Sequence, residues 1–141
     1  MGDQEMMSAR PSPQISPLTE PFWAAARERR LVMQRCRDCR RYRFPPETGC
    51  FYCGSLRSAW APVSGRATLY SWTVTHPPLL PYFGERAPWP IAVAQLEEGP
   101  RLVTILVGVP IEDYEIGMPL EAGFEDAGEG VTLVVFRRSA T

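Results

Sequence analysis

The sequence contains no lysine and one histidine, so all 15 of its basic side chains are arginines. Since His76 is the single histidine, the chain cannot build a metal site or a catalytic pair from two of its own histidines. No apolar run approaches the roughly 20 residues that a membrane-spanning helix needs. The opening residues MGDQEMM lack both a basic region and an apolar core. They predict no secretory signal and therefore a cytoplasmic protein.

Motifs that carry catalysis are also missing. The chain has no G-x-S-x-G sequence and no phosphate-binding loop. The acidic pairs Glu97-Glu98 and Glu112-Asp113 are typical of turns and surfaces, and His76 follows a predicted strand as a polar surface residue would. We therefore expect no independent catalytic centre.

The net charge of -1 hides a strong segregation of charge along the chain. Residues 27–43 contain eight arginines and two acids, whereas residues 97–129 contain nine acids and one arginine. The near-zero total gives the whole chain no general attraction for nucleic acid or anionic membranes. If the two segments lie apart, the molecule is dipolar.

The strongest chemical signal is a pair of CxxC motifs, Cys36-x2-Cys39 and Cys50-x2-Cys53. Each motif forms a tight knuckle, and two facing knuckles give a tetrahedral site with four thiolate ligands. Disulfides are disfavoured because a protein without a secretory signal remains in a reducing compartment. The motif predicts a structural Zn²⁺ that leaves no open position for catalysis. Iron of the rubredoxin type has the same ligand set and remains an alternative.

The rest of the chain predicts a mainly β protein. Thr19 is expected to cap a short helix that ends near Arg29. From Ala67 the pattern alternates, with Tyr70, Trp72 and Val74 on one face and Leu69, Ser71 and Thr73 on the other. Further strands are predicted at 91–97, 101–109, 120–124 and 131–137, with a hairpin turn at Gly99-Pro100. Five strands at this spacing favour a small closed barrel of the OB type, and an open sheet or sandwich is the alternative.

This pattern divides the chain into a flexible arm at 1–17, a helix plus zinc ribbon at 18–60, and a barrel at 61–141. The connection from His76 to Pro90 contains five prolines together with Tyr82, Phe83 and Trp89. A connection of this length is often functional, so these three aromatic residues are a predicted partner interface. The alternative is that they cover one end of the barrel.

Several short motifs occur in an order and spacing that resemble a known family. They are PFW at 21–23, CRDC at 36–39, Phe44-Pro45-Pro46, CFYCGS at 50–55, Trp60, SGR at 64–66, LYSWTVTH at 69–76, LEEGPR at 96–101 and IGMPLEAGF at 116–124. Between about Thr19 and Arg137, the chain resembles the acyl-CoA-associated zinc-ribbon/OB-fold proteins, once catalogued as a domain of unknown function. Two departures are Arg40, where the family more often has glycine, and the ETG sequence before the second knuckle.

The resemblance implies an N-terminal helix, a rubredoxin-like zinc ribbon and a five-stranded OB-fold barrel. It also implies an accessory, non-catalytic subunit in acyl-CoA or steroid and lipid side-chain metabolism. Members of the family pair with thiolase-like enzymes, with lipid-transfer-type thiolase relatives that act as aldolases, or with hot-dog-fold hydratases. The catalytic residues are then expected on the partner.

The expected acyl-CoA contacts lie beside the first knuckle. Arginine binds phosphate through paired hydrogen bonds, and an apolar ledge can hold the pantetheine arm. The predicted contact residues are Arg35, Arg41, Arg43, Phe44, Pro45 and Pro46, although each arginine is equally well explained as part of a solvated face. A single-stranded nucleic-acid module, with bases stacked on Tyr70 and Trp72, is the second hypothesis, and the acidic segment 97–129 speaks against it. A rubredoxin-like redox carrier is the third.

Overall fold

The computed structural model describes residues 9–140, and residues 1–8 of the predicted arm lie outside the described residues. The described residues form a helix, a three-stranded ribbon and a curled five-stranded sheet. The elements are α1 (Glu20–Arg27), β1 (Val32–Cys36), β2 (Tyr42–Arg43), β3 (Ser58–Pro62), β4 (Arg66–Thr75), α2 (Pro81–Gly84), β5 (Trp89–Leu96), β6 (Arg101–Thr104), a 3-10 turn (Ile111–Asp113), β7 (Pro119–Asp126) and β8 (Thr132–Arg138).

Helix α1 has one apolar face and ends earlier than predicted. Phe22, Ala25 and Ala26 are buried. Pro21 is tolerated in the first turn, because the first N–H groups of a helix have no intrahelical acceptor and proline lacks this group. The helix stops at Arg27 because the backbone turns into the left-handed region at Arg29, where φ is 62°. The predicted cap is wrong in detail, since the Thr19 side chain bonds to Ser16 and not to the helix. No described helix is long and apolar enough to cross a membrane.

The ribbon is a small antiparallel sheet with the strand order β2-β1-β3. Cys36 is the last residue of β1 and pairs with Ser58 of β3, so the first knuckle begins where this ladder ends. Met33 of β1 is fully buried and belongs to the same core cluster as Phe22 of α1 and Leu69 of β4. Helix, ribbon and sheet therefore share one hydrophobic core.

The larger sheet has the strand order β6-β5-β4-β7-β8 and curls until its two edges meet. A single parallel bridge between Leu106 and Phe136 joins the edges. Phe136 donates its N–H to the carbonyl of Ile105 at 3.1 Å and accepts from the N–H of Val107 at 2.8 Å. This arrangement confirms the mainly β, OB-type prediction and the hairpin at Gly99-Pro100. The predicted strand 101–109 is too long, because the chain leaves β5 after Thr104 and crosses toward β8.

A β-bulge in β4 overturns the simple alternation predicted for this strand. The pairing with β5 shifts between Leu69 and Ser71, so Tyr70 is the extra residue. Leu69 is 1% exposed and Tyr70 is 46% exposed. Trp72 then turns inward and packs edge-on against Tyr114, with ring centroids 5.7 Å apart. A bulge adds one residue to one strand, and it lets both Leu69 and Trp72 face the core.

We expect Phe136→Ala to destabilise the barrel strongly. Phe136 is fully buried at the bridge that closes the sheet, and truncating a buried phenylalanine costs about 3–5 kcal/mol. Urea denaturation measures the free energy of unfolding. Phe51→Ala is the matched control, because Phe51 is 58% exposed and exposed substitutions stay within about 0.5 kcal/mol. A loss below about 1 kcal/mol for Phe136→Ala would contradict this account of the core.

Candidate metal centre and apolar groove

The four cysteines form one cluster at the end of the ribbon. Their sulfur atoms all lie within 4.8 Å of one another. The distance between the sulfurs of Cys36 and Cys53 is 3.6 Å, and the distance between those of Cys39 and Cys50 is also 3.6 Å. The two knuckles therefore face each other, as the double CxxC spacing predicts.

Backbone amides point at the sulfur atoms of each knuckle. The N–H groups of Asp38 and Cys39 donate to the sulfur of Cys36 at 3.4 Å. The hydrogen bond from Cys39 is the main cause that lowers the pKa of the Cys36 thiol to about 6. In the second knuckle, the N–H of Tyr52 donates to the sulfur of Cys50 at 3.4 Å. Such bonds stabilise thiolates, which are the form of cysteine that binds metal.

Each knuckle closes with a left-handed residue. Gly54 has φ of 81° after the second knuckle, and Arg40 has φ of 68° after the first. Positive φ is strained for a residue with a side chain, which explains why glycine is common at such a position. Arg40 therefore takes the backbone conformation expected of the glycine that the family more often has here, so the knuckle keeps its shape and gains a side chain.

The donor set and its spacing fit a tetrahedral metal ion. Zinc–sulfur bonds of about 2.3 Å place the sulfurs of a regular tetrahedron about 3.8 Å apart. The two distances of 3.6 Å match that edge and far exceed the disulfide bond length of about 2.05 Å. All four cysteines are free of disulfides. The cluster is a four-cysteine metal site.

The predicted acyl-CoA contacts occupy different environments. The Arg35 guanidinium lies 4.7 Å from the Tyr42 ring and donates to the carbonyl of Arg40 at 2.8 Å. Arg41 is exposed, Pro45 is exposed and Pro46 is buried.

Arg43 lies inside the ribbon. It is 1% exposed, and it donates to Gln34 Oε1 at 2.9 Å and to the carbonyl of Glu47 at 3.1 Å. The same Gln34 oxygen accepts from the N–H of Glu47 at 2.8 Å, so Arg43 and Gln34 together hold the loop between the knuckles. In this position Arg43 supports the ribbon and has no surface to offer an external phosphate.

An open apolar groove of about 550 Å³ runs between α1, the ribbon and the seam of the barrel. Its floor comes from residues 102–105 and 133–135, which flank the seam between β6 and β8. Its aromatic walls are Phe22, Trp23, Phe44, Phe83 and Trp89. The structure thus brings Phe44, predicted as an acyl-CoA contact, together with two residues predicted as a partner interface.

The three aromatic residues of the long loop contact one another and are half-buried. The Phe83 and Trp89 ring centroids are 5.0 Å apart, and those of Tyr82 and Phe83 are 5.2 Å apart. Two guanidinium groups lie against Tyr82, that of Arg86 at 3.7 Å and that of Arg10 at 5.5 Å from the ring centroid. A partner contact through these rings stays a prediction, and their contribution to the groove is a finding.

Arg10 ties the segment before α1 across the rim of the groove. Its side chain forms an ion pair with Glu125 at 3.0 Å in addition to its contact with Tyr82. Pro11, Ser12 and Pro13 line the groove beside it. This part of the predicted arm therefore adds a wall to the groove.

The stacking pair expected for nucleic acid does not form on the barrel. Trp72 faces inward, so Tyr70 alone of the two remains exposed, with the Arg101 guanidinium 3.7 Å from its ring centroid. Single-stranded binding needs successive exposed rings along a basic track. The observed orientation removes the residues on which that hypothesis depended.

Sequence reasoning missed two groups of residues. Phe22 and Trp23 enter the sequence analysis only as part of the PFW motif, and they line the groove. Phe51 and Tyr52, enclosed between Cys50 and Cys53, are both more than half exposed. The second pair was visible in the sequence, because residues between two metal ligands sit at the tip of a knuckle and cannot reach a core.

Comparison with known proteins agrees with this architecture. Two family models match the chain: "ChsH2, rubredoxin-like zinc ribbon domain" at residues 23–57 and "ChsH2, C-terminal OB-fold domain" at residues 60–125. A "DUF35 domain-containing scaffold protein" from Methanocaldococcus jannaschii is 34% identical, and the match covers 77% of this chain and 81% of that protein. The chain belongs to the DUF35 family. The family resemblance predicted from the motifs is thereby confirmed.

Two further relatives of this DUF35 chain carry enzyme names. A solved structure named "Ltp2-ChsH2(DUF35) aldolase" contains a chain that is 39% identical, with a TM-score of 0.81 over 90% of this chain and 98% of that one. A "Probable enoyl-CoA hydratase alpha subunit" from Thermomonospora curvata is 39% identical, and the match covers 96% of this chain and 42% of that protein. The DUF35 chain thus spans less than half the length of the hydratase-named relative.

We expect Cys39→Ser to release the metal and loosen residues 30–60. Metal binding contributes on the order of 10 kcal/mol to the folding of small structural sites. Elemental analysis should find one metal per wild-type chain and clearly less in the variant, and hydrogen exchange should locate the loosened segment. Thr48→Ala, an exposed change between the knuckles, is the control and should retain the metal. Wild-type protein with no metal, purified without chelator, would contradict the assignment.

Proposed function

We propose that this DUF35 chain is a zinc-containing accessory subunit that binds acyl-CoA and assembles with a thiolase-like enzyme, an aldolase of that type or a hydratase. The observation that carries the proposal is the match to a DUF35 chain in an aldolase structure, which extends over 98% of that chain. The name of the hydratase-like relative supports the same class of partner. The substrate class is an acyl-CoA of lipid or steroid metabolism.

The metal supports this role as a structural element. We assign it as zinc, because four thiolate ligands complete a tetrahedral shell and leave no open position for substrate. The cluster also lies outside the groove, whose lining includes none of the four cysteines. Visible absorption and elemental analysis distinguish zinc from iron, since an iron–thiolate site is coloured and a zinc site is colourless.

The groove supports binding of the acyl part of the ligand. A volume of about 550 Å³ falls within the range of small-molecule sites, which are mostly apolar with few polar groups. Thr104 is buried in its wall and its hydroxyl donates to the carbonyl of Val134 at 3.1 Å, so this polar group already has a partner. An acyl chain or a fused ring system would bury apolar surface there without breaking a hydrogen bond.

The chain's one histidine lies outside both the groove lining and the cysteine cluster. His76 is exposed at the end of β4. The four cysteines are committed to the metal cluster. A nucleophile with an adjacent base is the minimum for most catalytic centres, so we place the chemistry on the partner enzyme.

We expect turnover to require both proteins. The enzyme that co-purifies with this chain from its native host is assayed with acyl-CoA alone, then with the wild-type chain added. The expected result is low activity from either protein alone and restored activity from the mixture, together with co-elution on size exclusion. Full turnover by this chain alone, or by the partner alone, would contradict the accessory role.

We expect Val103→Trp to weaken binding of long acyl-CoA and to spare short acyl-CoA. Val103 lines the groove and is 74% exposed, so a larger ring there fills the groove without entering the core. Calorimetry on the assembled complex should show at least a fivefold loss for a long acyl chain, since each buried methylene contributes about 0.8 kcal/mol. Ile116→Trp is the matched control, because Ile116 is exposed and lies outside the groove. Equal losses for both variants would refute the groove as the acyl site.

A further inference from the structure

The tip of the second knuckle exposes two aromatic rings beside an arginine. Phe51 and Tyr52 are 58% and 51% exposed, and their ring centroids are 4.8 Å apart. The Arg41 guanidinium lies 4.6 Å from the Tyr52 centroid. We call Arg41, Phe51 and Tyr52 the knuckle surface. Exposed aromatic faces beside a guanidinium suit a ligand that has both a planar ring and negative charge.

Several exposed arginines lie in the ribbon that carries the knuckle surface. Arg37 and Arg40 are exposed in the same ribbon. In the part of the chain that the structure describes, neither they nor Arg41 form an ion pair, whereas Arg57 pairs with Asp38 at 3.2 Å. Arginines without a carboxylate partner remain available for phosphate, to which they make charge-assisted hydrogen bonds.

The barrel offers a built-in comparison. Arg101 lies 3.7 Å from the ring centroid of Tyr70, a residue that is 46% exposed, so the barrel also carries an arginine against an exposed tyrosine. Arg101 is the single basic residue of a segment, 97–129, that contains nine acids, so this part of the barrel is less favourable for phosphate than the arginine-rich ribbon. The two pairs therefore differ in their electrostatic surroundings and in the second ring that Phe51 supplies at the knuckle.

We propose that the knuckle surface binds the adenosine 3′-phosphate 5′-diphosphate end of coenzyme A. The adenine ring lies against Tyr52 and Phe51, and the phosphates meet Arg41 and the neighbouring Arg40. The inference rests on the proposed acyl-CoA binding and adds a nucleotide subsite apart from the groove. Two adjacent rings match a single base, whereas a polynucleotide would need a longer basic track than the acidic barrel allows.

Calorimetry with the metal-loaded full chain tests the proposal. The probes are 3′,5′-ADP, coenzyme A, pantetheine and a single-stranded oligo-dT. We expect 3′,5′-ADP and coenzyme A to bind with similar affinity, with pantetheine and oligo-dT weaker. Arg41→Gln should lower the affinity for 3′,5′-ADP about tenfold, and Tyr52→Leu should lower it at least fivefold.

The controls are Arg101→Gln and Tyr70→Leu, which disrupt the equivalent pair on the barrel and should leave 3′,5′-ADP binding unchanged. Metal analysis of each variant confirms that the knuckles remain folded. No binding of 3′,5′-ADP, unchanged affinity in both knuckle variants, or tighter binding of oligo-dT would overturn the proposal.

Measuring assembly and turnover with the partner enzyme, beside nucleotide binding, distinguishes a failure of this inference from a failure of the proposed function. If the knuckle variants bind 3′,5′-ADP normally and the complex still turns over acyl-CoA, the nucleotide subsite is refuted and the accessory role stands. If 3′,5′-ADP binding depends on Arg41 and Tyr52 but the chain assembles with no enzyme, the subsite stands and the accessory role is refuted.

Discussion

The four-thiolate cluster is the constraint on which both proposed ligand surfaces depend. The ribbon has one five-residue ladder and a two-residue strand, which is too little structure to fix two loops without a cross-link. A metal ion that holds the two CxxC motifs together fixes the position of β2 between them. It thereby also fixes Phe44, which directly follows β2 and lines the groove. The same restraint fixes the tip that carries Phe51 and Tyr52. A metal at this cluster would therefore affect the two proposed ligand surfaces through their position.

The shared core links this small ribbon to the barrel. Phe22 of α1 touches both Trp23 and Phe44, at centroid distances of 5.1 Å and 5.4 Å. Phe22 also belongs to the buried cluster that contains Phe136. A shift of the ribbon would move one wall of the groove relative to its floor. Charge follows the same division, because arginines outnumber acids in the ribbon and acids outnumber arginines in the barrel.

The main features of the fold were predictable, and the failures have identifiable physical causes. Alternating residues predicted the barrel strands, and the CxxC spacing predicted the cluster, because both depend on local geometry. Alternation could not reveal the bulge at Tyr70, since an extra residue is accommodated by pairing with a distant strand. The burial of Arg43 was equally hidden, because its partners Gln34 and Glu47 meet only in the folded ribbon. The groove combines residues that are more than 100 positions apart, such as Phe22 and Val134.

The groove lies where the two edges of the curled sheet approach each other, so the side chains at that seam set its width. The groove lies along the seam between β6 and β8, and the Leu106–Phe136 bridge is where the described strands meet across it. The Thr104 hydroxyl adds a hydrogen bond to the carbonyl of Val134 across the same seam, so the width of the groove beside these links depends on the side chains that line it. Substitutions at the less buried lining residues Val103, Leu133 and Val134 can widen or narrow the groove while the ladders of β4, β5 and β7 stay intact. The shape of the groove can therefore change through a few surface residues, with no rebuilding of the core.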